Sequence, residues 1–214
     1  MEQIAIYGAG GFGQEVACIL HAINKIEPRW EIIGFFDDNA SLAGKTLRYG
    51  KVLGGIEKLN SRQEPLAIVM AIASAKTLEI VLNKINNPNI KFPNIIAPDV
   101  LFYDYADVTF GVGNLIGFRC LVSYNTKFGN FNLFNNDVFV GHDTSIGNFN
   151  IFNPSVRISG EVEIGNLNFF GVSSVVLQQK KIGNNTLIAT NSVIMRNTAD
   201  NCKYLGNPAM RISI

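Results

Sequence analysis

Charge and long apolar segments are both scarce in this sequence of 214 residues. Charged residues make up only 16% of the chain and nearly cancel, which leaves a formal net charge of +1. The chain therefore has no excess of basic residues of the kind that binds nucleic acid, and we expect no nucleic-acid partner. No apolar run approaches the roughly 18 residues of a membrane-spanning helix, and no charged leader precedes the first apolar segment. We therefore expect no membrane span.

Cysteine and histidine are also rare, with three and two copies. Cys18, Cys120 and Cys202 lie far apart without the spacing of a metal site, which predicts reduced, buried thiols in a cytoplasmic protein. His21 follows Cys18 by three residues on a predicted helix, and two candidate ligands without a third do not make a metal site. We expect no metal, and we interpret His21 as a surface or packing residue.

The first hundred residues alternate between segments typical of strands and of helices. Strands are predicted at 3–7, 30–36, 67–72 and 94–96, and helices at 14–25 and 77–85. The segment 67–72 is apolar throughout, as expected of a strand buried on both faces. This alternation predicts an α/β domain with a small parallel sheet, which we place at residues 1–97.

A glycine-rich loop joins the first predicted strand to the first predicted helix. Its Gly-x-Gly-x-x-Gly spacing allows the backbone to approach a phosphate at a helix N-terminus. The dinucleotide interpretation also needs an acid after the second strand, and Asp37 supplies one. However, about 95 residues leave room for only one of the two mononucleotide-binding halves of a dinucleotide fold. We therefore favour a single nucleotide diphosphate over NAD.

The residues expected at this nucleotide site fall into two sets. The phosphates would contact the loop, and the ribose or base would lie near the acids Asp37 and Asp38, with Ser74 after the third strand as a further contact. The alternative is a tight turn followed by two solvated acids. The loop residues are Gly8, Gly10, Gly11, Phe12 and Gly13.

From residue 110 onward the sequence repeats every six residues. Fifteen positions from Phe110 to Ile194 are all Phe, Ile or Val, and a glycine follows eight of them. This period predicts a parallel β-helix, in which each hexad sends one large side chain into a narrow prism and three hexads complete a coil. We expect about five coils, with the glycine or asparagine after each inward residue adopting the positive φ of a corner. A β-sandwich, the alternative, would show a period of two.

Four further segments carry a family resemblance. Together with the hexads they resemble the left-handed β-helix sugar acyltransferases of the sialic-acid O-acetyltransferase and bacillosamine-precursor N-acetyltransferase group. The resemblance implies an α/β Rossmann-like domain followed by a left-handed parallel β-helix at residues 98–214. The segments are Ile4–Glu15, Gly34–Asp38, Val52–Ile56 and Leu205–Ile212.

The same resemblance implies a function and an assembly. Members transfer acetyl from acetyl-CoA to an amino or hydroxyl group of a sugar, and they act as homotrimers with active sites between neighbouring β-helices. We favour N-acetylation of a nucleotide-linked amino sugar. O-acetylation of a sugar such as sialic acid and a trimeric scaffold without catalysis stay open as alternatives.

Four residues take catalytic or acceptor-binding roles by this resemblance. His142 would be the general base, and Asp143 would hold its tautomer, which requires a corner because adjacent strand residues point to opposite faces. Gly160 lies 18 residues after His142, one coil along, and its N–H would face the thioester carbonyl. Asn135 would lie near the acceptor.

The expected CoA site extends toward the C-terminus. Backbone groups around Gly160, Gly171, Ala189 and Thr190 would line it, and Lys180, Lys181 and Arg211 would meet its phosphates. The chain also departs from the family pattern. Ile151 stands where many relatives carry a second histidine, and Ala97-Pro98 stands in place of a His-Pro pair, so acceptor identity is open.

Overall fold

The structure, a computed structural model, describes residues 1–212. The chain divides into two compact units, Met1–Pro98 and Asp99–Ile214, one residue later than the boundary predicted from the sequence. The last two residues of the predicted second domain lie outside the described residues. Within the described range, no helix has both the length and the apolar character needed to cross a bilayer.

The first unit is an α/β domain built on one six-stranded sheet. Its strand order is β3-β4-β2-β1-β5-β6, and β1 runs parallel to both β2 and β5. The predicted parallel sheet is therefore confirmed, but the strand predicted at 94–96 is not part of it. The antiparallel β3–β4 hairpin, the five-residue α2 and β6 are additions that the sequence pattern did not reveal. The elements are β1 (Glu2–Tyr7), α1 (Gly11–Ile26), β2 (Trp30–Phe36), β3 (Thr46–Leu47), β4 (Gly50–Gly54), α2 (Ile56–Asn60), β5 (Leu66–Met70), α3 (Ala75–Lys84) and β6 (Ile90–Lys91).

After β7 (Ile95–Ile96) the chain forms strands of only two or three residues. They are β8 (Leu101–Phe102), β9 (Val108–Phe110), β10 (Leu115–Ile116), β11 (Leu121–Val122), β12 (Thr126–Phe128), β13 (Leu133–Phe134), β14 (Phe139–Val140), β15 (Ser145–Ile146), β16 (Ile151–Phe152), β17 (Arg157–Ile158), β18 (Glu163–Ile164), β19 (Phe169–Phe170), β20 (Val175–Val176), β21 (Lys181–Ile182), β22 (Leu187–Ile188), β23 (Val193–Ile194), β24 (Lys203–Leu205) and β25 (Met210–Ile212).

These strands stack into three parallel sheets, which form the faces of the predicted left-handed β-helix. The first face contains β10, β13, β16, β19 and β22, the second contains β11, β14, β17, β20 and β23, and the third contains β12, β15, β18 and β21. Paired residues are 18 apart, as in Leu115 with Leu133 and Leu133 with Ile151. The coil length predicted from the hexads is therefore confirmed.

The core of the β-helix is a column of large apolar side chains. Fourteen of the fifteen hexad positions are at most 5% exposed, and Phe110 at the start of the repeat is partly exposed. Within the column, the rings of Phe134 and Phe152 stack at 4.6 Å and those of Phe152 and Phe170 at 4.5 Å. Burial of each large side chain contributes about 1.5–3 kcal/mol, so this column is the main source of stability.

The corners differ from the prediction in which residue turns the chain. Positive φ is found three residues after the inward position, not at the glycine directly after it. The glycines are needed for space instead: a Cβ on Gly147 would lie 2.7 Å from the carbonyl oxygen of Gly165 in the next coil. Besides Gly113, thirteen non-glycine residues occupy such left-handed corners, and they are Arg119, Asn125, Phe131, Asp137, Asp143, Phe149, Ser155, Glu161, Leu167, Ser173, Gln179, Asn185 and Asn191.

A ladder of buried asparagines runs inside the β-helix beside the first face. Asn114, Asn132, Asn150 and Asn168 are at most 1% exposed and lie in successive coils. The side-chain oxygen of Asn132 accepts a bond from the backbone N–H of Asn150, at 2.9 Å, and that of Asn150 accepts one from Asn168, at 3.0 Å. The ladder thus satisfies most of these buried polar groups, and the Nδ2 of Asn168 is the exception because it has no partner among the described residues.

Candidate active site

His142 and Asp143 lie at the corner between β14 of the second face and β15 of the third. Asp143 has φ 54°, and this left-handed turn brings two neighbouring side chains to the same side of the chain. Nδ1 of His142 lies 2.7 Å from Oδ2 of Asp143. The corner that this contact was expected to require is therefore present.

The electrostatics of the pair define which imidazole nitrogen is free. Hydrogen bonds from His142 and then from Asn125 lower the pKa of Asp143, so its carboxyl is ionised at neutral pH and can only accept. The proton of a neutral His142 is thereby fixed on Nδ1, which leaves the lone pair of Nε2 available. Both side chains are open to solvent, at 47% and 36% exposure.

Gly160 lies directly against the imidazole, one coil after His142. A Cβ on Gly160 would lie 2.6 Å from Nε2 of His142, and the N–H of Glu161 donates to the His142 carbonyl at 2.8 Å. Within residues 1–212, the N–H of Gly160 has no acceptor. At another corner, in contrast, the N–H of Asn148 donates to an asparagine side chain one coil later. Gly160, whose N–H is unpartnered, thus lies next to the Nε2 edge of the imidazole.

Two residues of the preceding coil also contact the pair, and the sequence interpretation missed both. The ring of Tyr124 stacks on that of His142 at 5.8 Å with 12° between the planes. Nδ2 of Asn125 donates to Oδ1 of Asp143 at 2.5 Å. They lie 18 residues before His142 and Asp143, so the coil length that located Gly160 could have located them too.

The remaining β-helix candidates lie at a different corner, between the first and second faces. A Cβ on Gly171 would overlap the backbone N of Thr190 and lie 2.7 Å from the carbonyl carbon of Ala189, so these three backbones touch. Asn135 occupies the same corner two coils earlier, where its Oδ1 accepts from the N–H of Asn136 at 2.9 Å. The structure groups these residues together and separates them from His142 by the width of the second face.

The three predicted phosphate ligands are dispersed. Lys181 forms an ion pair with Glu163 at 2.9 Å, and Nζ of Lys180 donates to the carbonyl of Gln179 at 3.4 Å. Arg211 is exposed on β25. Lys181 also lines a cavity of about 450 Å³ together with Asp143, Glu161, Glu163 and Gln179.

Some of the loop glycines in the first unit are required by the fold, and others are not. Gly8 has φ 114°, and a Cβ there would lie 2.6 Å from the carbonyl oxygen of Ala71. A Cβ on Gly13 would overlap the carbonyl of Gly8. Around Gly10 and Gly11 there is open space, and neither has positive φ. The fold therefore requires Gly8 and Gly13 but not Gly10 and Gly11, while Phe12 lies half-buried within α1.

The polar residues predicted to bind the nucleotide also order the protein itself. Oδ2 of Asp37 accepts from the N–H of Ala9 at 2.8 Å, which ties the second strand to the glycine loop. Oδ1 of Asp38 accepts from the Tyr7 hydroxyl at 2.7 Å, and burial followed by this bond raises the pKa of Tyr7. Ser74 caps α3. Asp37 is thus held by the loop, and Asp38 is held by Tyr7 of β1 and the N–H of Ile56, so neither is freely solvated.

The rare residues have ordinary surroundings. Cys120 and Cys202 are buried and Cys18 is exposed, which differs from the prediction of three buried thiols, and all three are free. His21 lies at the surface with its ring centre 6.0 Å from that of Tyr49. Within the described range, no group of three or more His, Cys, Asp or Glu side chains could hold a metal ion.

Comparison with known proteins links both units to one architecture. Residues 3–85 match the sequence profile of the PglD N-terminal domain family. The acetyltransferase domain of PglB from Neisseria gonorrhoeae superposes with a TM-score of 0.88 at 23% identity, over 99% of this chain and 100% of that one. A search of curated proteins returns no match.

Two further solved structures share the fold. WeeI from Acinetobacter baumannii superposes with a TM-score of 0.87 at 24% identity, over 99% of this chain and 100% of that chain. A histidine-to-asparagine mutant of perosamine N-acetyltransferase from Caulobacter crescentus, in complex with CoA and GDP-perosamine, superposes with a TM-score of 0.84 at 18% identity, over 100% and 98%. The Rossmann-like domain followed by a left-handed β-helix is thereby confirmed.

Proposed function

We propose that this protein transfers acetyl from acetyl-CoA to the amino group of a nucleotide-linked amino sugar. The observation that carries the proposal is the Asp143–His142 pair with its free Nε2 beside the unpartnered N–H of Gly160. A base and an oxyanion donor are the two groups that acyl transfer to an amine needs. The similar PglB domain was also solved with acetyl coenzyme A.

The chemistry follows from the positions of these three residues. Nε2 of His142 removes a proton from the sugar amine as the amine nitrogen attacks the thioester carbonyl carbon. The N–H of Gly160 donates to the oxyanion of the tetrahedral intermediate. Asp143 stabilises the imidazolium through Nδ1. When the carbon–sulfur bond breaks, the imidazolium returns its proton to the CoA sulfur, and the amide product and CoA thiol leave without an acetyl-enzyme intermediate.

The nucleotide of the substrate is assigned to the glycine loop of the first unit. Gly10 and Gly11 lie at the N-terminus of the sixteen-residue α1 and have open space around them, and no internal contact of the fold requires glycine at either position. The positive end of a helix and its free N–H groups suit a diphosphate, and glycine lets the phosphate reach the backbone. Of the relatives, perosamine N-acetyltransferase was solved with a GDP-linked sugar.

The division of the β-helix residues supports a homotrimer as the active form. His142 and Gly160 lie at one edge of the second face, and Gly171, Ala189, Thr190 and Asn135 lie at the other edge. No single chain brings the two edges together across that face. A neighbouring copy that sets its first-to-second corner against the His142 corner completes an acceptor and CoA site, as closed cyclic symmetry allows.

The decisive experiment measures thiol release with acetyl-CoA and a panel of UDP-, dTDP- and GDP-4-amino sugars. Sialic acid serves as the hydroxyl acceptor in a parallel arm. We expect turnover with at least one amino sugar and none with sialic acid. Turnover with sialic acid alone would establish O-acetylation instead, and no turnover in either arm, for protein shown to bind acetyl-CoA, would contradict the proposal.

A further inference from the structure

We propose that Asn125 is a positioning residue that sets the orientation of the Asp143 carboxylate and, through it, of His142. This inference rests on the proposed function and adds a third member to the hydrogen-bonded chain. The chain runs from the Asn125 amide to Oδ1 of Asp143 and from Oδ2 of Asp143 to Nδ1 of His142, with lengths of 2.5 Å and 2.7 Å.

The β-helix places the two side chains in register. Asn125 and Asp143 are 18 residues apart, so they occupy the same position in successive coils, and both are left-handed corner residues with φ 51° and 54°. Equivalent backbone conformations point both side chains outward in the same direction. The amide of one therefore faces the carboxylate of the other across a single strand spacing of roughly 4.8 Å.

The two carboxylate oxygens of Asp143 bond different partners, Oδ1 with Asn125 and Oδ2 with His142. The bond from Asn125 can therefore set the orientation of the carboxylate toward His142. A carboxylate held only by His142 can rotate about its terminal bond, because the side chain is partly exposed to solvent and that torsion has a broad energy profile. The amide of Asn125 fixes Oδ1, which leaves Oδ2 aimed at Nδ1 of His142. A neutral donor suits this place, since a carboxylate there would repel Asp143.

The remainder of the preceding coil supports the same assignment. Tyr124 stacks on the imidazole, and its carbonyl accepts from the N–H of Asp143 at 3.3 Å. The following coil presents Gly160, which has no side chain to restrain the ring. The side chains that contact the His142–Asp143 pair thus come from the preceding coil, while the following coil places the bare α-carbon of Gly160 next to Nε2 of His142.

The chain contains a matched control for this contact. Asn185 is also a left-handed corner residue, with φ 50°, and its Nδ2 donates to Oδ1 of Asn201 at 2.8 Å. Backbone conformation, exposure and donor group are the same, but the acceptor is a neutral amide oxygen in place of a carboxylate and belongs to no catalytic group. A loss of corner stability would therefore appear in Asn185→Ala and in Asn125→Ala alike.

The first test separates positioning from stability by kinetics. We expect Asn125→Ala to lower kcat about tenfold, with KM for both substrates within about twofold, because a reoriented base affects the chemical step rather than binding. Asn185→Ala should keep wild-type kcat. In an Asp143→Ala background, Asn125→Ala should have no further effect, as expected when one residue acts through the other. Equal kcat values for Asn125→Ala and wild type, or full additivity in the double variant, would overturn the inference.

The second test needs no activity and thus separates this inference from the proposed function. The chain has only two histidines, so imidazole ¹⁵N spectra of wild type and His142→Ala identify the His142 signals. We expect neutral His142 to carry its proton on Nδ1, and Asn125→Ala to increase the Nε2–H tautomer, while Asn185→Ala leaves the spectrum unchanged. An unchanged tautomer population in Asn125→Ala would contradict the positioning role even if no acetyl acceptor were found.

Discussion

Gly160 presents its bare α-carbon to the imidazole of His142, and the 2.6 Å separation of Nε2 from a Cβ at that position leaves room only for glycine. The residue therefore has two separate requirements to meet. In the proposed mechanism, its N–H must stay free for an oxyanion, and the absence of a side chain must leave the imidazole of His142 in place. These requirements distinguish Gly160 from corner glycines such as Gly141 and Gly171, which are crowded by backbone.

A Gly160→Ala substitution should impair catalysis more than folding. The added methyl meets the end of an exposed side chain that can rotate away, so we expect the melting temperature to change little while kcat falls about a hundredfold. Gly147→Ala is the matched control, because its methyl would meet the Gly165 carbonyl at 2.7 Å. That variant should lose about 1–3 kcal/mol of stability. Thermal unfolding and steady-state kinetics on both variants check the contrast, and a wild-type kcat in Gly160→Ala would refute it.

Removal of the base should affect the chemical step alone. We expect His142→Ala to lower kcat by about 10²–10⁴ while acetyl-CoA still binds, because general-base catalysis contributes a factor of that size. His21→Ala, which removes the other histidine from the surface, should be fully active. Kinetics together with calorimetric titration of acetyl-CoA measure both quantities. A loss of less than about threefold in folded His142→Ala would contradict the base assignment.

The glycine loop allows binding to be tested separately from folding. Gly10→Val places a side chain in open space at the α1 N-terminus, so it should raise KM for the nucleotide sugar at a stability cost of about 1 kcal/mol or less. Acetyl-CoA affinity should not change. Gly13→Ala should instead unfold the first unit, because its methyl overlaps the Gly8 carbonyl. If Gly10→Val weakens acetyl-CoA and leaves the sugar KM unaltered, the assignment of the two substrates is wrong.

Stability should decline in acid, partly through the corner aspartates. Hydrogen bonds from Ser155 and Arg157 lower the pKa of Asp137, as those from His142 and Asn125 lower that of Asp143. A folded pKa below the unfolded one gives stability that is present above the ordinary aspartate pKa of about 3.9 and is lost as pH falls through the folded value. Urea unfolding from pH 5 to pH 2 should show a smaller acid-induced loss in Asp137→Asn than in wild type. An identical loss would contradict this origin.

Much of the β-helix could be predicted because its six-residue repeat is visible in the sequence as a periodic pattern of large apolar side chains. A prism with room for one large residue per strand imposes Phe, Ile or Val every six residues, and fourteen of those positions are buried. The corner conformation could not be assigned in the same way. Left-handed φ falls on residues as different as Phe131, Glu161 and Leu167, because the stacked backbone rather than local preference holds each corner.

The candidate site residues that belong to a sequence motif could be predicted, but most contacts between neighbouring coils could not. His142, Asp143 and Gly160 followed from the family motif and the coil length. Tyr124 and Asn125 belong to no motif, and their partners become visible only when the sequence is aligned with itself at a spacing of 18. In the first unit, Asp37 accepts a bond from the N–H of Ala9 and Asp38 accepts one from the Tyr7 hydroxyl. Both bonds depend on the pairing of β2 with β1, which no local sequence pattern indicates.

The buried asparagine ladder has a consequence for how the coils find their alignment. The large inward residues are nearly alike on all three faces, so they alone would permit one coil to rotate by a third of a turn against the next. Such a slip would set Asn132 or Asn150 against Val138 or Val156 and leave amides unpaired in the core. The ladder thus fixes the register between successive coils, as a buried asparagine fixes the register of a coiled coil. With this register, Asn125, His142 and Gly160 lie in successive coils at the same corner, between the second and third faces.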